Sequence, residues 1–171
     1  MARRIRVLVV DDSVVIRRVL VNSIEAHEDM EVVGTARDGA EAIERVEQDS
    51  PDIVVLDVQM PRMDGLTTLR KLRSRGRTLP VVMFSSDSQT EAQTTFDALE
   101  GGASDFIVKP AARSATAFIT NELIPRLRAL TTRASRRPTP VLPKEAPRAK
   151  AHGPATLVTV GASTGGPEAV Q

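Results

Sequence analysis

The sequence predicts a doubly wound α/β fold, a five-stranded parallel sheet covered by helices on both faces. Two observations carry this. Residues 5–10, 53–56 and 81–84 are short, β-branched runs that are apolar on both faces of a period-two strand, the pattern of strands buried from both sides. Segments of strand and helix character then alternate five times along the chain, and right-handed crossovers between parallel strands turn that alternation into a single sheet.

Each element has its own signal. After the first strand, residues 14–26 place apolar side chains at 15, 16, 19, 20 and 24, one face of a helix. Residues 30–35 form the second strand, and residues 39–47 show Ala40, Ile43 and Val46 at helical spacing. The third and fourth strands, 53–56 and 81–84, are separated by a helix over 65–73, and a fourth helix follows over 90–99. A fifth strand over 105–108 leads to a fifth helix over 113–130. Pro125 interrupts that helix, because proline lacks the N–H that would bond the Asn121 carbonyl, and a kink is expected there. Residues 131–154 contain five prolines and no apolar period, which reads as an extended linker. Residues 1–130 are thus expected to form the domain, 131–154 the linker, and 155–171 the opening strand and turn of a second α/β domain.

Composition excludes several classes. There is no Cys, so disulfides and thiolate metal sites are absent and a reducing, cytoplasmic setting fits. The apolar run of the first strand stops at Asp11, too short for a signal peptide or a membrane span. Residues 1–130 carry 17 basic and 20 acidic side chains, whereas residues 131–154 carry six basic and one acidic. A basic, Pro-rich stretch is either a nucleic-acid arm or a solvated linker. Without an aromatic residue or a helix-turn-helix, the linker reading is favoured and no nucleic-acid partner is expected.

In a doubly wound sheet the ligand crevice lies at the carboxyl ends of the strands. The residues there are Asp11 and Asp12 after the first strand, Asp57 at the third, Ser85 at the fourth and Lys109 at the fifth. Taken singly they have ordinary uses: Asp12 or Ser13 as a helix N-cap, Asp64-Gly65 as a turn, Lys109-Pro110 as a loop. Taken together, three crowded carboxylates call for a cation, and hard oxygen donors suit Mg²⁺. Asp57, ending a central strand, is then placed to attack a phosphoryl group, with Lys109 neutralising charge and the Ser85 hydroxyl bonding a phosphoryl oxygen.

The runs LVVDDS (8–13), VLDVQMPRMDG (55–65), VVMFSS (81–86) and GASDFIVKP (102–110) resemble the motifs of two-component response-regulator receiver domains, in order and across residues 4–130. The resemblance implies a flavodoxin-like receiver in which Asp57 takes a phosphoryl group from a histidine kinase. It implies Mg²⁺ held by Asp12, Asp57 and the Gln59 backbone carbonyl, with Asp11 acting mainly through water, Lys109 contacting the phosphoryl group, and a Lys109–Pro110 peptide bond that is cis as in the family. Ser85 and Phe106 stand at the family's switch positions, and with no Tyr in the chain the switch lacks a phenol hydroxyl. Two rival chemistries fit poorly. A haloacid-dehalogenase phosphatase wants an Asp where Gln59 stands, and a flavin domain wants more aromatic surface than four Phe supply.

The tail repeats the strand-then-glycine pattern. Residues 157–160 are strand-like and lead into Gly161-Ala162-Ser163-Thr164-Gly165, the G-x-S-x-G form that exposes a serine on a sharp strand-to-helix turn. Such turns also cradle phosphates or simply reverse the chain. The run VTVGASTGGPEAV, following a receiver and a linker, resembles the start of the catalytic domain of the chemotaxis protein-glutamate methylesterase family, CheB. That resemblance makes Ser163 the nucleophile of a serine hydrolase that demethylates, and often deamidates, chemoreceptors. A serine nucleophile needs a histidine base. The only histidines are His27 and His152, neither at the family's position, so these 171 residues are expected to lack esterase turnover. The expected partners are a chemotaxis kinase and methyl-accepting chemoreceptors; the alternative is a free-standing receiver acting as a phosphorylation-switched binding module.

Overall fold

The computed structural model describes residues 3–86, 91–109 and 115–135, the side chains of 91–93 and 135 excepted. Five parallel strands, β1 (Ile5–Val10), β2 (Met30–Ala36), β3 (Ile53–Asp57), β4 (Val81–Ser85) and β5 (Asp105–Val108), lie in the order β2-β1-β3-β4-β5. The helices are α1 (Val14–Glu25), α2 (Gly39–Asp49), α3 (Gly65–Ser74), α4 (Glu91–Glu100), α5 (Ala115–Phe118) and α6 (Ile124–Ser135). The doubly wound reading of the sequence is the fold observed.

Strand alternation sorts the core into two layers. Val7, Val9, Ile53, Val55, Val82, Phe84 and Ile107 pack on one face with Leu20 and Ile24 of α1 and Ile124 and Leu127 of α6. Their neighbours Leu8, Val10, Val54, Leu56, Val81 and Met83 face the other way, onto Ile43 and Val46 of α2 and Leu69 and Leu72 of α3. Nearly all of these are buried completely. At about 1.5–3 kcal/mol for each large side chain removed from water, the two layers together outweigh any single polar contact in the molecule.

Three helices start on side-chain caps, the first of them at one of the two residues the sequence offered. The Ser13 hydroxyl accepts from the Ile16 N–H, Asp38 from Ala40 and Glu41, and Asp64 from Thr67. Asp12 is therefore left uninvolved in capping α1.

The C-terminal helix is interrupted beside Pro125, as expected, and departs from expectation at its end. The interruption is not a break: residues 119–123 form a π turn, with the Ile124 N–H bonding the Ile119 carbonyl five residues back, and this wider turn absorbs the proline directly downstream. The helix also runs past Leu130 to Ser135, so residues 131–135 are helical where the linker was expected to begin. The reason is local. Thr131 is buried and its hydroxyl donates to the Leu127 carbonyl at 2.9 Å, while the Thr132 hydroxyl donates to Arg128 at 2.9 Å, so two polar side chains satisfy themselves on the helix. The rest of the linker, Pro110 with its peptide bond, and the tail carrying Ser163 lie outside the described residues.

Candidate functional site

The parallel sheet delivers the carboxyl ends of β1, β3, β4 and β5 to one edge. Asp57 is the last residue of β3 and only 3% exposed; Asp11 follows β1 and is fully buried; Ser85 ends β4, also fully buried. Carboxylate oxygens of Asp11, Asp12 and Asp57 all lie within 4.8 Å of one another, with Asp12 the exposed member. Lys109, one residue beyond β5, reaches into this group. Its Nζ is 2.7 Å from Asp11 Oδ2 and 2.9 Å from Asp57 Oδ1, and its backbone N–H donates to the Ser85 carbonyl at 2.6 Å. The four residues the sequence assigned to the crevice from β1, β3 and β5 thus meet in space, and Ser85 lies on the strand beside Asp57.

The electrostatics are lopsided. Lys109 answers one of three carboxylates' worth of charge, so its ion pairs leave the cluster two charges short of neutral. Burial pushes the Asp57 carboxyl from 3.8 up to about 6; the Lys109 ammonium, and its hydrogen bond, pull the other way, Asp11 adds to the rise, and the Gln59 N–H, 3.4 Å from Oδ1, opposes it. A divalent cation among these hard oxygen donors would supply the missing charge, and among the described residues no His or Cys lies in the cluster to compete for it. His27 sits in the turn before β2, at the opposite edge of the sheet.

The oxygens of Asp11 are already engaged: Oδ1 accepts the Ser13 N–H at 2.9 Å and Oδ2 accepts Lys109. Those of Asp12 are open to solvent. Phe106 is half-buried on β5 opposite Met83, one strand further out, and packs against the α2/α3 layer. Beside Asp12 an open groove of about 660 Å³ runs over Val58, Met60, Pro61 and Leu66 toward Arg70 on α3.

Two further groups frame the site without any signal in the sequence reading. Arg17, on α1, donates from Nη1 to the carbonyls of Asp11 at 2.5 Å and Asp12 at 3.2 Å. Arg62, in the loop after β3, has a left-handed backbone with φ 66° and pairs with the buried carboxylate of Asp38. The Asp-Gly start of α2 advertises a cap, but nothing local connects it to a loop 24 residues later.

Comparison with known proteins agrees with this geometry. Residues 7–117 match the family model of the response regulator receiver domain. The chain is 44% identical over 97% of its length to a protein-glutamate methylesterase/protein-glutamine glutaminase of Nocardioides sp., covering 49% of that relative. With the enzyme of that name numbered 4 in Anaeromyxobacter dehalogenans it shares 40% identity over 99% of the chain and 48% of the relative. The chain spans about half the length of these curated relatives. Among solved structures, the response regulator domain of Thermotoga maritima CheB superposes with a TM-score of 0.70 and 38% identity, covering 76% of this chain and 98% of that one. With a buried aspartate ending β3, a lysine reaching it from β5 and a family model spanning the described sheet, this chain belongs to the response regulator receiver domain family.

Proposed function

We propose that this chain is the phosphorylation-controlled receiver of a chemotaxis protein-glutamate methylesterase, with Asp57 as the phosphoacceptor. One observation carries the reading: Lys109 bridges the two buried carboxylates, Asp11 and Asp57, and leaves the cluster short of positive charge by the amount a divalent cation brings. Mg²⁺ is the ion that suits it, held by Asp12, Asp57 and the Gln59 backbone carbonyl. Because both Asp11 oxygens have partners, that side chain acts on the ion through water. When bound, Mg²⁺ supplies charge neutralisation on the phosphoryl oxygens and lowers the Asp57 pKa.

The chain's own residues do the rest. An Asp57 oxygen attacks phosphorus in line; an O–P bond forms as the N–P bond to the donor histidine breaks, and the imidazole leaves with the bonding pair. Lys109 balances the charge that arrives, moving its ammonium from carboxylate toward the phosphoryl group, and the Ser85 hydroxyl bonds a phosphoryl oxygen. That pull on the end of β4 is transmitted to Phe106 on the neighbouring strand. The donor is a chemotaxis histidine kinase of the cytoplasm. In the whole protein the switch governs a serine hydrolase whose nucleophile is Ser163 and whose substrates are methylated chemoreceptors. The similarity of nearly the whole chain, tail included, to named methylesterases favours this over a free-standing receiver.

The test is chemical. Acetyl phosphate with Mg²⁺ is expected to place an acid-stable, hydroxylamine-labile phosphoryl group on the wild-type chain and none on Asp57→Asn. Equal labelling of the two, or no label at all, refutes the assignment.

A further inference from the structure

Arg17 is a half-buried cation on α1 that pairs with no carboxylate among the described residues. Its Nη1 instead spans the backbone carbonyls of Asp11 and Asp12, the two residues that deliver acidic side chains from the β1–α1 loop. Asp11 is held four ways: its N–H donates to the Ala36 carbonyl at 3.1 Å, its carboxylate accepts from Ser13 and Lys109, and its carbonyl accepts from Arg17. Asp12 is exposed, and among the described residues the bond from Arg17 is the one hydrogen bond made to it. We infer that Arg17 is a positioning residue for cation binding, fixing the backbone of Asp12 so that its exposed carboxylate faces Asp57.

This rests on the reading that the acidic pocket holds a divalent cation. Partners behind a metal ligand typically change affinity by about 10–100-fold when removed, because an unfixed ligand must be ordered when the ion arrives. Electrostatics alone predicts the opposite sign. A guanidinium near the pocket repels Mg²⁺, so deleting its charge without any effect on geometry would tighten binding. Positioning and charge are therefore separated by the direction of the change.

The chain has no Trp and no Tyr, so isothermal titration calorimetry of the 171-residue protein with MgCl₂ is the suitable measurement. Wild type is expected to bind and Asp12→Asn to bind far more weakly; a wild type that binds no Mg²⁺ overturns the metal reading and this inference with it. If wild type binds, Arg17→Met, which keeps the apolar stem, is expected to raise Kd about tenfold while its thermal midpoint in chelator stays close to wild type. An unchanged or lower Kd overturns the positioning role, as does a drop in thermal midpoint with no change in Kd. Should Arg17→Met fail to fold, Arg17→Lys carries the test. It keeps the charge but not the reach across both carbonyls, and a Kd about threefold higher supports the inference, whereas a wild-type Kd overturns it.

Discussion

Asp57 must be ionised to act as a nucleophile, yet its buried place at the end of β3 favours the neutral acid. With its pKa lifted from 3.8 to about 6, the folded chain holds a proton that the unfolded chain has already released. Between those values the native state binds more protons, so stability falls as pH rises through the window, and the loss is complete above about pH 6. At about 1.4 kcal/mol per unit, the ceiling on that loss is about 3 kcal/mol. Urea unfolding in chelator at pH 4 to 7 is expected to show this decline in the wild type and a flatter profile in Asp57→Asn. A wild-type profile as flat as the variant's contradicts the burial argument. Replacing Lys109 by Met deepens the effect, because the ammonium is the main influence holding the Asp57 carboxyl down.

The loop between β3 and α3 is fixed by close packing and by the ion pair of exposed Arg62 with the buried carboxylate of Asp38. The Gly65 N–H donates to the Val58 carbonyl at 2.9 Å, and a Cβ at position 65 would stand 2.1 Å from the Asp57 carbonyl oxygen. Gly65→Ala must therefore push back the backbone of the phosphoacceptor, an overpacking that typically costs about 1–3 kcal/mol. It is expected to slow labelling by acetyl phosphate as well as lower the thermal midpoint; full labelling at reduced stability would show that the backbone at Asp57 had not moved. Asp38 serves the same loop from the other side, capping α2 and pairing with Arg62. Asp38→Ala loses the cap, about 1 kcal/mol, and removes the ion pair beside the left-handed backbone of Arg62. Arg62→Gly removes the strain together with the ion pair, so it is expected to be much the milder change in thermal melts. These contacts could not be read from the sequence, since they join residues far apart in the chain that carry no periodic pattern. The strands could be read, because burial on both faces leaves a run such as IVVL with no polar position at all. The crevice followed from strand order, whereas the helix beyond Leu130 was hidden because threonines that bond their own helix look polar in the sequence.

Both core layers are built on the same five strands, so neither helical layer can be lost without exposing the sheet that supports the other. The described domain is therefore expected to unfold in one cooperative step, and a ligand at the sheet edge should move the entire transition. The acidic pocket allows this to be tested without phosphorylation. The cluster of Asp11, Asp12 and Asp57 is assembled only by the fold, since the first two lie some 45 residues from the third, and the unfolded chain has no comparable site for Mg²⁺. At tenfold excess over Kd, native-state binding adds about 1.4 kcal/mol, or about 5 °C for a domain of this size. The gain should grow with pH from 5 to 7, because protons and Mg²⁺ compete for Asp57 and the proton is the weaker competitor above pH 6. Calorimetric scans are expected to show one peak displaced upward by Mg²⁺ at pH 7, a smaller displacement at pH 5, and almost none in Asp12→Asn. A displacement independent of pH would mean that the ion does not touch Asp57, and a second peak would mean that the two layers melt apart.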